Sequence, residues 1–227
     1  MAQQTRPRKI AGGAAKRPVA GRRSRPANDD RSQKAAAKRE AILAAALDEF
    51  SARGFAEARL DDVARAAGVA KGTIYLHFAD KEALFQELVR TMISPLVAAL
   101  VELRAADRPI HAVLEQVAQL FVGTVGTRRR DVAQLVLSEG QRFPELAEFY
   151  YREVIERAMT AMRTMLERAI ARGEIPNTAL AHFPQLVVAP GILSIIWVGL
   201  FDRFQRLDVA AMMRTHIAIL LGEKSRS

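Results

Sequence analysis

Between Lys71 and Phe78 the chain reads KGTIYLHF, and its side chains are of the kinds that meet a nucleic acid duplex. Thr73 offers a hydroxyl and a methyl, suited to a phosphate oxygen or to the edge of a thymine. Lys71 offers a cation for phosphate, and Tyr75 a phenol on a stiff stem. Ile74 and Phe78, four residues apart, fall on one helix face and can turn to a core, which leaves Leu76 and His77 on the outer side. Thr73, Leu76 and His77 are the candidates for contact with bases. Lys71, Tyr75, Lys81, Arg39 and Arg59 are the candidates for phosphate. The same spacing is also that of a plain helical hairpin inside an all-α core.

Holding that face outward requires a second short helix across a tight turn. Leu60, Val63, Ala64 and Ala67 recur at i, i+3, i+4 and i+7, which predicts a helix with one buried face. Asp61 and Asp62 fall in its first turn, where negative charge suits the helix dipole. Gly68 ends it, Val69 fills the corner, and the second helix runs from about Ala70 to Phe78. Asp80 is placed to cap the helix that follows. A longer helix from Ser32 to about Arg53 precedes the pair, with Ile42, Leu43, Ala46, Leu47 and Phe50 as its apolar stripe and Gly54 as its stop. Phe55 is expected to join Val63, Ile74 and Phe78 in a small three-helix core. Two short helices about a glycine turn, the second basic and hydroxylated outside, describe a helix-turn-helix.

The stretch from Arg39 to about Leu88 resembles the DNA-binding signature of TetR/AcrR-type transcriptional regulators. The resemblance rests on Ala64, Ala67-Gly68-Val69, Lys71 to Tyr75, His77-Phe78 and Lys81 to Phe85. Ala45-Ala46-Leu47, Phe50 and Gly54-Phe55 extend it into the preceding helix. Where such regulators often carry threonine at the start of the first motif helix, this chain has Arg59 and Leu60. The resemblance implies a homodimeric repressor in the cytoplasm, each subunit placing the Lys71–His77 helix in the major groove of one half of a pseudo-palindromic double-stranded DNA operator. It implies a small apolar effector held among the C-terminal helices, with Phe121, Phe143, Tyr150, Tyr151, Met159, Met162 and Trp197 as stock for the pocket. It also implies dimerisation through the last two helices, for which Ile192, Ile196, Leu200, Met213, Ile217 and Leu220 are suitable.

Of the formal net charge of +9, two thirds falls within the first thirty residues, which hold eight basic residues against Asp29 and Asp30. Residues 1–30 have almost no large apolar side chain beyond Ile10 and Val19, and so predict a disordered basic arm able to add phosphate contacts. Residues 31–79 are the expected DNA-binding part and 80–223 the expected effector-binding and dimerisation part. Beyond Asp80 the pattern is of long helices: Lys81 to about Arg104 with Pro95 as a kink or split, Pro109 to Gly126, Arg128 to Arg142, Pro144 to Arg172, and Asp208 to Leu221. No strand pattern appears, and the fold class is all-α. Leu186 to Phe201 is free of charge over sixteen residues, yet too short and too broken by Pro190 to span a membrane. It reads as a helix buried on more than one side.

Catalytic patterns are missing from the sequence. Cysteine is absent, which excludes disulfides and thiolate metal sites. His77, His111, His182 and His216 are scattered without metal-ligand spacing, no phosphate-cradling loop precedes a helix, and Ser138 and Ser194 lack a nucleophile elbow. No cofactor is expected. A non-specific architectural DNA-binding protein, or a ligand-binding protein or enzyme reusing the fold, are the alternatives.

Overall fold

A computed structural model describes Met1, residues 27–176 and residues 178–222, with the side chains of 27–31 undescribed. The basic arm expected before residue 27 lies outside the described residues. Two units are present, one ending at Ala36 and one from Ala37 onward, and the site lies in the second.

All regular structure among the described residues is helical. Helix α1 spans Ala27–Glu57, beginning five residues before the expected Ser32, and is interrupted at Gly54. That glycine takes φ 73° and ψ 168°, a region open essentially to glycine alone. The motif helices are α2 (Leu60–Ala66) and α3 (Lys71–His77). Between them Gly68 adopts φ 67°, so that Val69 N–H reaches Ala64 O at 3.0 Å and Gly68 N–H reaches Arg65 O at 3.2 Å. These two bonds make a Schellman turn, which satisfies carbonyls that the end of α2 would otherwise leave bare. Asp80 caps α4 (Lys81–Met92) by accepting from Ala83 N–H at 2.7 Å. Pro95 does divide the next stretch: α5 (Ser94–Ala105) follows α4 after a bend of 42°.

Helix α6 (Ile110–Val125) and α7 (Arg129–Glu139) follow. The expected long helix is α8 (Pro144–Tyr150) and α9 (Arg157–Ala171), joined by a wider π turn over Tyr151–Glu156. A short α10 (Ala179–His182), α11 (Gln185–Leu200) and α12 (Val209–Leu221) complete the chain. Gly191 and Gly199 let α11 approach its neighbours closely, because a Cβ at either would fall inside Phe121 or Gln134. No single described helix is long and apolar enough to cross a membrane.

One apolar cluster joins α1, α2 and α3 to α4, and takes in Val132, Leu135 and Leu146 from α7 and α8. Packing is therefore continuous across residues 79 and 80, where the sequence suggested a boundary. The other two clusters lie among α5, α6, α7, α9, α10, α11 and α12.

Candidate nucleic-acid interface and apolar cavity

Helix α3 is held by one side only. Ile74 and, just past the helix end, Phe78 are buried, whereas Leu76 is 83% exposed and Tyr75 47%. Lys71 and His77 are exposed too, and Thr73 is half-buried on the flank. An apolar side chain as large as leucine, left uncovered on a seven-residue helix between exposed polar groups, is a surface available to a partner.

The expected cations are not equally available. Lys71 Nζ lies 2.7 Å from Asp61 Oδ2, and the Tyr75 hydroxyl donates to Asp61 Oδ1 at 3.3 Å. The Lys71 hydrogen bond holds the Asp61 carboxyl below the usual carboxylate range and raises Lys71 in turn. Arg59, just ahead of α2, is exposed and near enough to act electrostatically on both. Arg39 departs from expectation: its guanidinium pairs with Glu87 at 2.5 Å and lies 5.6 Å from the Phe78 ring centroid. Lys81 departs further. Its ammonium donates to the carbonyls of Phe55 and Ala56, both at 2.7 Å, and lies over the Phe55 ring at 4.8 Å. It ties the start of α4 to the end of α1, which occupies two of its three donors.

An apolar cavity of about 130 Å³ opens where the α4–α5 bend, α6, the π turn and α11 converge. Phe121, Tyr150 and Met159, three of the side chains named for a pocket, line it together with Leu96, Ile155 and Ile192. Burial among these groups pushes the Tyr150 phenol up to about 12, so it stays neutral. Its hydroxyl has no hydrogen-bond partner among the described residues, whereas the nearby Thr124 hydroxyl is spent on Leu120 O at 2.7 Å. The other four candidates lie elsewhere. Phe143 packs edge-on against Phe55 at 5.0 Å in the first core, and Met162 is fully buried in the second. Tyr151 points outward from the π turn, and Trp197 donates to Gln205 O at 2.9 Å beside Phe201. A larger open groove, about 920 Å³, lies between the α6–α7 turn and the α11–α12 loop. Charged side chains line part of it, and its Asp202 and Asp208 accept from the backbone of Leu207 and Ala211. On its rim Arg128 pairs with Asp48 of α1.

The interface residues expected on the last two helices divide in the same way. Ile192 and Leu200 are exposed, and Ile196 is half-buried. Met213, 2% exposed, belongs to the third cluster, and Ile217 and Leu220 are half-buried against the inner clusters. Exposed large apolar side chains of α11 also include Leu186 and Leu193, and α12 exposes Ile219. Leu186, Leu193 and Leu200 stand seven apart, the spacing of a helix–helix seam. That signal was present in the sequence, hidden in a run where every residue is apolar. Among the described residues no three His, Asp or Glu side chains gather as a metal site would require.

The signature of bacterial regulatory proteins of the tetR family matches residues 42–88, and that of the tetracyclin repressor-like C-terminal domain matches residues 107–200. The HTH-type transcriptional repressor BepR of Brucella suis is 32% identical over 149 residues, 63% of this chain and 71% of that one. The chain belongs to the tetR family. The HTH-type transcriptional regulator RutR of Escherichia coli is 39% identical over 87 residues, a match that spans 38% of this chain and 41% of RutR. In fold, the chain superposes on SmeT in its triclosan complex with a TM-score of 0.66, covering 84% of this chain and 93% of SmeT at 22% identity. Family membership places α2 and α3 within the tetR signature, and α6 and α11 within the C-terminal one.

Proposed function

We propose that the protein is a dimeric, DNA-binding transcriptional repressor that releases its operator when a small apolar molecule binds. The observation that carries this reading is the bare outer face of α3, where Thr73, Tyr75 and His77 stand around the uncovered Leu76 while Ile74 alone anchors the helix. Thr73, Leu76 and His77 contact bases; Lys71 and Tyr75 contact phosphate, with Arg59 beside them. Two copies joined along the Leu186–Leu193–Leu200 stripe and Ile219 present two such faces to successive turns of a duplex.

The effector occupies the cavity beside Tyr150. Its chemistry follows from the lining: a neutral, largely apolar molecule with one group able to hydrogen-bond the free phenol. About 130 Å³ is below the range of roughly 300–1,000 Å³ for ligand pockets, so the unbranched Met159 and the Phe121 ring move aside on binding. Displacement is passed to the DNA-binding helices by two routes. One is α4, which is followed by Ile93 at its cavity end and carries Lys81 at the other. The other is Arg128, which links the α6–α7 turn to Asp48 and to Ala44 O of α1.

Selection from a random duplex pool tests the DNA reading, and two copies of one half-site related by a two-fold axis are expected. Equal affinity for every duplex would overturn it. With the selected site in hand, Tyr75→Phe is expected to weaken binding to all sequences alike, whereas Thr73→Ala changes which sequences bind best. A uniform loss in both would contradict the division of roles. Triclosan serves as a first effector probe, because the similarly folded SmeT binds it. It is expected to raise the melting temperature of the native protein, and to do so less in Tyr150→Phe. An equal rise in both variants would remove Tyr150 as the anchor.

A further inference from the structure

Asp61 lies on the wrong side of the charge balance for a phosphate-binding surface, and both of its carboxylate oxygens are aimed at that surface. One accepts from Lys71 Nζ at 2.7 Å and the other from the Tyr75 hydroxyl at 3.3 Å, while the ammonium itself lies 5.8 Å from the Tyr75 ring centroid. The two donors best placed to grip a DNA backbone are thus gathered on one anion that the chain supplies. Its neighbour Asp62 behaves differently: it pairs with Arg65 at 3.0 Å and Arg53 at 3.4 Å, away from α3. Asp62 also stands in the first turn of α2, so the favourable interaction with the helix dipole does not depend on Asp61. Asp61 makes no capping bond to the backbone of α2 either.

We infer that Asp61 sets the strength of backbone binding by acting through Lys71 and Tyr75, competing with DNA phosphate for their donors. A carboxylate and a phosphate oxygen are both anionic acceptors, and they repel each other when brought to the same cation. Each duplex that docks must therefore exchange the Asp61 contacts for phosphate contacts, or share them at reduced strength. The resulting loss falls on every sequence equally, because every duplex has the same backbone. A site that also satisfies Thr73 and Leu76 overcomes it, and one that does not is released sooner. Asp61 in this role lowers affinity for every duplex by the same factor, so that a duplex offering the backbone alone is barely held while one adding base contacts still is. The inference rests on the DNA-binding reading given above and adds the residue that limits how strongly the DNA backbone alone is held.

The test compares the full chain with Asp61→Asn, which preserves the size and the polarity of the side chain but removes its charge. Affinity for the selected operator and for a scrambled duplex is measured by fluorescence anisotropy over roughly 50 to 200 mM salt, the range in which phosphate contacts dominate the dependence. For Asp61→Asn the plot of log K against log salt is expected to steepen by about one unit, as for one additional counterion released. Near 0.15 M salt this corresponds to about fivefold tighter binding of the scrambled duplex. Adding Lys71→Gln is expected to abolish the gain. A slope unchanged or shallower in Asp61→Asn, with melting temperature preserved, would overturn the inference, since Asp61 would then be orienting Lys71 for DNA. Native protein that binds no duplex at all would overturn the DNA-binding reading itself, an outcome separate from a change of slope.

Discussion

Phe55→Ala is expected to lower the stability of the fold by about 3–5 kcal/mol, the range for removing a large aromatic from a packed core. Phe55 is fully buried, with ring centroids 5.3 Å from Phe50, 5.0 Å from Phe143 and 6.3 Å from Phe85. Those partners come from α1, from the approach to α8 and from α4, so one ring fastens the helix-turn-helix to the helices behind it. The Lys81 ammonium lies against its face, adding a cation–π term that alanine cannot replace. For a chain of this size the melting temperature is expected to fall by about 10 °C. Phe55→Leu, which keeps much of the volume, should fall by markedly less. Identical melting curves for the native protein and Phe55→Ala would mean that this cluster does not form as described.

Leu76→Glu is expected to have the converse effect, abolishing DNA binding without disturbing the fold. The side chain is 83% exposed, so replacing it removes almost no packing and adds one solvated charge. Surface changes of this kind usually stay within about 0.5 kcal/mol of the native stability. Against DNA, the new carboxylate meets the anionic backbone and base acceptors of the groove, and a like-charge contact at an interface costs several kcal/mol. Affinity for the selected operator is expected to drop at least about a hundredfold, close to 3 kcal/mol. Operator affinity within threefold of native would place Leu76 outside the interface and shift the recognition surface to another part of the chain.

Much of the frame was legible because it depends on neighbours close in sequence. The turn at Gly68 needs only a residue free to adopt positive φ, the Asp80 cap reaches three residues ahead, and Pro95 breaks a helix by its own geometry. The outward face of α3 followed from the four-residue spacing of Ile74 and Phe78. The contacts the sequence did not show are those whose partners come from far along the chain. Lys81 finds the carbonyls of residues 25 and 26 positions earlier, and Arg39 finds Glu87. Phe143 was assigned to a pocket on residue type and packs instead under the DNA-binding helices. Leu193 is exposed though the sequence did not single it out, because a run apolar on every side has no periodic contrast to show which face turns out. The π turn at Tyr151–Glu156 has no compositional mark, yet it helps to bring Tyr150 and Ile155 to the same cavity wall.

The hydrogen bond from Trp197 to the Gln205 carbonyl has a practical consequence. The chain holds one tryptophan, and it stands at the corner between α11 and α12, three residues before Leu200 of the exposed leucine stripe. Indole emission shifts with the polarity around the ring. Exchange and dilution of the proposed dimer can therefore be followed by intrinsic fluorescence on unlabelled protein, with no dye attached to the leucine stripe.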